Sequence, residues 1–364
     1  FPVGYWNMNS RRGRASSRGV GEAPVVTIGN LAEFGGYSFA WFADAALRLT
    51  MGMVLQDLNA RNAPTVLQNL YSRVTLSPAV KSPLASRSPF PLGPRDQSMT
   101  LQDALNVIST YIGTQGHGMR ALSLPSALSL DFAEHVRIAG GPGRKKRDVF
   151  RASEEVIALA CIGAQLTFAY IAGGREEGVT EYGYVMVRLH PQLAPLSGRV
   201  NSLVRRVTRR LAQANMGFLP ILIGASAAVA AKAAGLKVLK SIFKNPTSFE
   251  YLRLALSGQK VMAKGFDSID ITGLVKMIGL SGAAGSIVRL LMNCPVEGFN
   301  NYRGLVQNLA NGLAMYHFYR QPIYLYGALR LLTSAEVQRE GSQILKGTWN
   351  RVAQRLMNLS RLIT

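Results

Sequence analysis

Carboxylates are scarce in this chain. Its 364 residues hold 20 Asp and Glu against 41 Lys and Arg, and between Tyr182 and Phe249 there is no acidic residue at all. No acidic cluster is therefore available to hold Mg²⁺ or Ca²⁺. The only histidines, His117, His135, His190 and His317, show neither HExxH nor any other metal-ligand spacing. Cys161 and Cys294 are the only cysteines; they are too few for a disulfide framework and form no CxxC, so free thiols in a reducing compartment are expected, without structural or redox metal chemistry. The GxxxxGK[ST] pattern of a phosphate-binding loop is missing, and Gly224-Ala225-Ser226-Ala227-Ala228 fails the nucleophile elbow at its last position. Gly116-His117-Gly118-Met119-Arg120-Ala121 loosely resembles a dinucleotide loop, but no convincing strand precedes it. The expectation is a protein without catalytic residues, metal or cofactor, and not an enzyme.

What remains is positive charge and apolar surface. The net charge of +21 calls for an anionic partner, either nucleic acid or an acidic membrane surface. Charged residues make up only 17% of the chain, against about 25% in an ordinary soluble domain. With 48% hydrophobic residues, the composition suits a subunit whose surface is partly covered by copies of itself.

The cations concentrate where acids are absent. Arg188, Arg199, Arg205, Arg206, Arg209, Arg210, Lys232, Lys237, Lys240 and Lys244 supply ten formal charges with nothing between them to neutralise them. At about 100° per residue, a helix over Ser197–Ala214 places Val200, Leu203, Val204, Val207 and Leu211 on one face and Arg199, Arg205, Arg206, Arg209 and Arg210 on the other. A guanidinium face without carboxylates repels itself unless a polyanion or a neighbouring subunit supplies negative charge, and guanidinium is well shaped to hold phosphate oxygens bidentately. A second basic element, Arg144-Lys145-Lys146-Arg147, follows the flexible Gly140-Gly141-Pro142-Gly143 and suits closure over a phosphate backbone, a solvated loop or a localisation signal equally well.

Along the chain, residues 1–22 read as an arm of Gly, Ser, Asn and Arg that cannot fold alone. Val25–Ile28 suits a short strand. Helices are expected from about Tyr37 to near Asn62, over Thr65–Leu76, and over Thr100–Ile112 with Ser98 or Thr100 as cap. Ser77–Gln97, with its repeated prolines, is expected to be a long loop. Glu154–Ala172 reads as a buried helix, or as a strand from Leu166 to Ile171, and Tyr182–Leu189 as the second arm of a hairpin. Met216–Gly235 reads as a core helix, although its length also meets the test for a membrane span. Asn245-Pro246-Thr247-Ser248 marks a lobe boundary, with Ser248 capping a helix that begins at Phe249. Short helices follow, then Tyr302–Arg320, which leads into the cluster Tyr316, Phe318, Tyr319, Tyr324 and Tyr326, interleaved with Arg320 and Arg330. The end of the chain reads as an amphipathic helix built on Leu345, Trp349, Val352, Leu356, Leu359 and Ile363, to be docked on its own body or on the next subunit.

A mainly helical body, the Arg-rich helix Arg199–Arg210 ahead of a boundary near Pro246, an N-terminal arm and an amphipathic C-terminal helix together resemble an RNA-virus nucleoprotein. The closest likeness is to the negative-strand nucleocapsid proteins, with coat proteins of flexuous filamentous viruses second. The resemblance implies a mainly α fold, a two-lobed helical body with flexible terminal arms and at most a small β-hairpin. It divides the chain into an arm (1–22), an N-terminal lobe (23–245), a C-terminal lobe (246–338) and a C-terminal helix or arm (339–364). It further implies encapsidation of single-stranded genomic RNA in a basic groove, a homo-oligomeric filament or ring linked through both arms, no membrane, and location in the virion and host cell cytoplasm. By position and charge, Arg199, Arg205, Arg206, Arg209, Arg210, Arg144, Lys145, Lys146, Arg147 and Lys237 are the expected RNA contacts. Two alternatives remain: a mitochondrial ribosomal or other structural RNA-binding protein, and a membrane-embedded protein using Ala160–Ala172 and Met216–Gly235 as spans.

Overall fold

The structure, a computed structural model, describes residues 25–77, 80, 83–130, 151–173, 178–190, 193–233 and 246–362. The 1–22 arm, the Arg144–Arg147 run and Lys237 lie outside the described residues. Within them the chain is mainly α, as expected, with twelve α-helices and two sheets. The strands go beyond a small hairpin. A three-stranded sheet joins β1 (Val25–Val26), β3 (Arg151–Ser153) and β2 (Ala121–Ser123) in that order, and a four-stranded antiparallel sheet runs β4 (Phe168–Gly173), β5 (Val179–Arg188), β6 (Ser248–Ser257), β7 (Lys260–Asp270).

The four-stranded sheet separates two hydrophobic cores. Successive strand residues point to opposite faces, and here both faces are covered. On β5, Tyr184 and Met186 enter one core while Val185 and Val187 enter the other; on β6 the same division separates Leu252 and Leu254 from Phe249 and Tyr251. The first core is built on helices α1 (Ser38–Met51), α2 (Ala63–Thr75), α3 (Leu101–Thr114) and α4 (Glu154–Thr167). The second is built on α5 (Ala194–Gln213), α6 (Phe218–Lys232), α7 (Thr272–Ser281), α8 (Ala284–Met292), α9 (Asn300–Tyr319), α10 (Pro322–Arg330), α11 (Ala335–Leu345) and α12 (Trp349–Met357).

Several local expectations hold for the reasons given. Thr100 caps α3 in a reciprocal box: its hydroxyl accepts from the Asp103 N–H, and the Asp103 carboxylate accepts from the Thr100 N–H. Those hydrogen bonds also lower the Asp103 pKa below the ordinary carboxylate value. Over 154–173 both readings are partly right, because the apolar run is helix to Thr167 and strand from Phe168.

Four expectations change. The first helix stops at Met51, where Gly52 adopts φ 71° and accepts the left-handed turn that ends it. Ser248 caps no helix; it begins β6, which turns through Gly258, at φ 57°, into β7. Pro246 does not separate two bodies, since β5 and β6, from either side of it, pair along their whole lengths. The C-terminal segment is not one helix: it breaks into α11, α12 and a 3-10 turn over Asn358–Leu362, and of the two dockings expected it takes the one on its own body, with Leu345, Trp349, Val352, Leu356 and Leu359 all buried in the second core. The Trp349 indole lies so close over Gly341 that a Cβ there would come within 2.4 Å of the ring.

Candidate nucleic-acid interface

The rotation of α5 decides which cations face outward, and two things set it. Its buried stripe is Ser197, Val200, Asn201, Val204, Val207, Thr208 and Leu211, the three-and-four spacing of one helical face. Within that stripe Asn201 substitutes for a missing strand. Pairing of β4 with β5 begins at Tyr184, leaving the edge of β5 beyond it without a strand partner on that side. There Asn201 Oδ1 accepts from Val187 N–H at 2.6 Å, and its Nδ2 donates to the Val187 and Ser197 carbonyls at 3.1 and 3.0 Å. A buried side-chain amide satisfied on both sides holds the helix in one orientation.

The five arginines of α5 consequently fall into three groups. Arg199 and Arg206 are exposed and form no ion pair with a described residue. Arg205, half-buried, and Arg209, exposed, also serve the fold. Arg205 donates to the Gln165 carbonyl in the last turn of α4 at 3.5 Å, where a cation is favoured by the helix dipole, and Arg209 Nε donates to the Ala169 carbonyl of β4 at 2.8 Å. Burial, with Arg209 beside it, lowers the Arg205 pKa to about 10, which leaves it charged at neutral pH. Arg210 is half-buried, and its Nε has no partner among the described residues.

Arg188, the first cation of the acid-free run, is neutralised from far away in sequence. Its NH2 lies 3.2 Å from Asp44 Oδ2 of α1, and its Nε lies 2.6 Å from Glu250 Oε1 of β6, off the hydrogen-bond axis. Arg48 pairs with the same Asp44 at 2.6 Å, and Trp41 Nε1 donates to Glu250 Oε2 at 2.6 Å. The premise that nothing neutralises the run fails at this residue; among the described residues it stands at Arg199 and Arg206.

The fold adds cations that were not assigned from sequence. Helix α8 packs on α5 and on α12, and its exposed Arg289 joins Arg351 and Arg355 of α12, also exposed and in no ion pair with a described residue. In sequence they are single arginines in separate amphipathic helices; only the packing of α8 between its neighbours gathers them.

At the corner between α9 and α10, Phe318, Tyr319, Ile323 and Tyr326 are exposed beside Arg320 and Arg330. Tyr316 belongs to the fold instead: it is half-buried, and its hydroxyl donates to the Leu362 carbonyl. The sharp corner comes from Arg320, which ends α9 in the left-handed region at φ 57°.

No protein-family model, no curated protein and no solved structure matches this chain.

The arrangement offers guanidinium groups for phosphate and rings for bases. Among the described residues no group of three or more His, Cys, Asp or Glu could hold a metal ion. Among them, too, no single helix is long and apolar enough to cross a membrane. Ala160–Ala172 is divided between α4 and β4, and Met216–Gly235 contributes the 15-residue α6, buried in the second core. The α7 and α8 pair has the combined length but bends by 104° at its break.

Proposed function

We propose that the protein binds single-stranded RNA across α5 and its neighbouring helices and packages it, copy beside copy, as a viral nucleocapsid or coat protein. The observation that carries this reading is the outward face of α5, where Arg199 and Arg206 have no acidic partner among the described residues, on a helix pinned from behind by Asn201. Phosphate contacts of this kind bind RNA with little base selectivity. A net charge of +21 keeps copies apart until a polyanion offsets it, so assembly into a filament or ring is coupled to RNA. The exposed rings at the α9–α10 corner suit stacking of unpaired bases.

The test uses two variant sets. Arg199→Gln with Arg206→Gln should lower the 260/280 nm absorbance ratio of the purified protein. It should also reduce the slope of log affinity against log salt by about 0.7 for each lost phosphate contact on single-stranded RNA. Far-ultraviolet circular dichroism should not change, since both side chains are exposed. An unaltered slope and nucleic-acid content would count against the proposal. Separately, Tyr319→Ala and Tyr326→Ala should each weaken single-stranded RNA binding by about 1–3 kcal/mol at an unchanged salt slope, the signature of a lost stack. Equal loss on duplex RNA would remove stacking as the cause.

A further inference from the structure

Between α8 and α12 lies a cleft of about 200 Å³ lined by Gly285, Ser286, Arg289, Arg351, Val352 and Arg355. Three of its six lining residues are arginines, none of them acidic. Arg289 stands one turn beyond Gly285 and Ser286 on α8, and Arg351 and Arg355 are four apart on one face of α12, so the cleft has cations on both walls. Three like charges around one small volume repel one another unless an anion sits between them.

Two further features point the same way. Gly285 is in the first turn of α8, and beyond its own helix backbone and chain neighbours no atom lies within 4 Å of where its Cβ would be, so the cleft reaches the backbone near the positive end of the helix. Ser286 is only 4% exposed and lines the cleft, which places a hydroxyl donor beside the arginines where a bound oxyanion could accept from it.

We propose that this cleft is a discrete binding site for a phosphate dianion, held by Arg289, Arg351 and Arg355 with Ser286 Oγ donating to one oxygen. A tetrahedral dianion suits a cage of three guanidinium groups better than a carboxylate, which offers two coplanar oxygens and a single charge. The cleft is smaller than the about 300–1,000 Å³ of pockets that enclose whole ligands. It therefore takes the phosphate and leaves whatever carries it outside. The site is built from α8 and α12 and uses neither Arg199 nor Arg206 of α5, so it does not rest on the RNA reading.

The test is calorimetric titration of the full-length protein, freed of nucleic acid, with sodium phosphate at constant ionic strength. Saturable binding of one phosphate per chain is expected. Arg289→Gln, Arg351→Gln and Arg355→Gln should each weaken it about tenfold, the loss of one charge-assisted contact. Arg206→Gln, on α5, should leave it unchanged. Ser286→Ala should weaken it less than the arginine variants while the salt dependence stays the same. No saturable binding, or native affinity in the triple arginine variant, overturns the proposal. Competition then identifies the source. Displacement of phosphate by a 5′-phosphorylated dinucleotide but not by its 5′-hydroxyl counterpart assigns the site to a phosphomonoester end. Displacement by neither assigns it to inorganic phosphate. Equal displacement by both would show that diesters suffice and overturn the dianion site.

Discussion

Replacing Gly163 with alanine is expected to lower the free energy of unfolding by more than about 4 kcal/mol, a loss confined to a few mechanisms. A Cβ at this position would lie 1.7 Å from the Phe42 carbonyl oxygen and 2.5 Å from its carbon. Both are backbone atoms of α1, so no side-chain rotation relieves the clash. Helices α1 and α4 would have to move apart, and the residues around the crossing, Phe39, Phe42, Ala46, Leu159, Ala160 and Ile162, are fully or almost fully buried in the first core. Close-packed interiors do not absorb such a shift. Gly304→Ala in α9 is the control: open space surrounds its Cβ position, and alanine should stabilise the helix by about 0.5–1 kcal/mol. Denaturant unfolding of both variants measures the difference. A loss under about 1 kcal/mol at Gly163 would mean that the α1–α4 crossing is wrong.

The second large effect is expected at Arg188. Asp44 and Glu250 are 5% and 4% exposed, and Arg188 links them. Arg188→Ala should cost about 3–5 kcal/mol, because removing one member of a buried ionic group leaves uncompensated charge in a poorly solvated place. Asp44 would keep Arg48, whereas Glu250 would keep only the Trp41 indole N–H. The burden therefore falls on Glu250, and Arg188→Met combined with Glu250→Gln should recover much of the loss. The double-mutant cycle gives the coupling energy directly. A coupling below about 0.5 kcal/mol would indicate a pair screened by solvent, as on an open surface.

These two sites differ in how much of them could be read in advance. Gly163 is one glycine in an apolar run, and nothing in the run says that a carbonyl of residue 42 will press against it. Arg188 is visible as the start of an acid-free stretch, but its two partners come from 144 residues before it and 62 after it. Periodicity reports which face of an element is apolar; it is silent on which distant element covers that face. The same limit explains β6. Phe249 and Tyr251 face one core while Leu252 and Leu254 face the other, so the strand is apolar on both sides and shows none of the alternation that marks a strand with one wet face.

The sequence alone established the charge imbalance, the mainly helical character, the apolar face of α5, a cap at Ser98 or Thr100 and the core helix within Met216–Gly235, because each depends on composition or on neighbours within a turn or two. Tertiary structure decided the rest. It placed a sheet between two cores, folded the C-terminal helices into the chain's own interior, and turned Arg205 toward the Gln165 carbonyl of α4 and Arg209 toward the Ala169 carbonyl of β4. It also left Arg199 and Arg206 outside and brought Arg289 beside Arg351 and Arg355. Whether a cation is spent within the fold or left for a partner depends on which distant backbone and carboxylate groups come within a few ångströms of it, and only packing sets that.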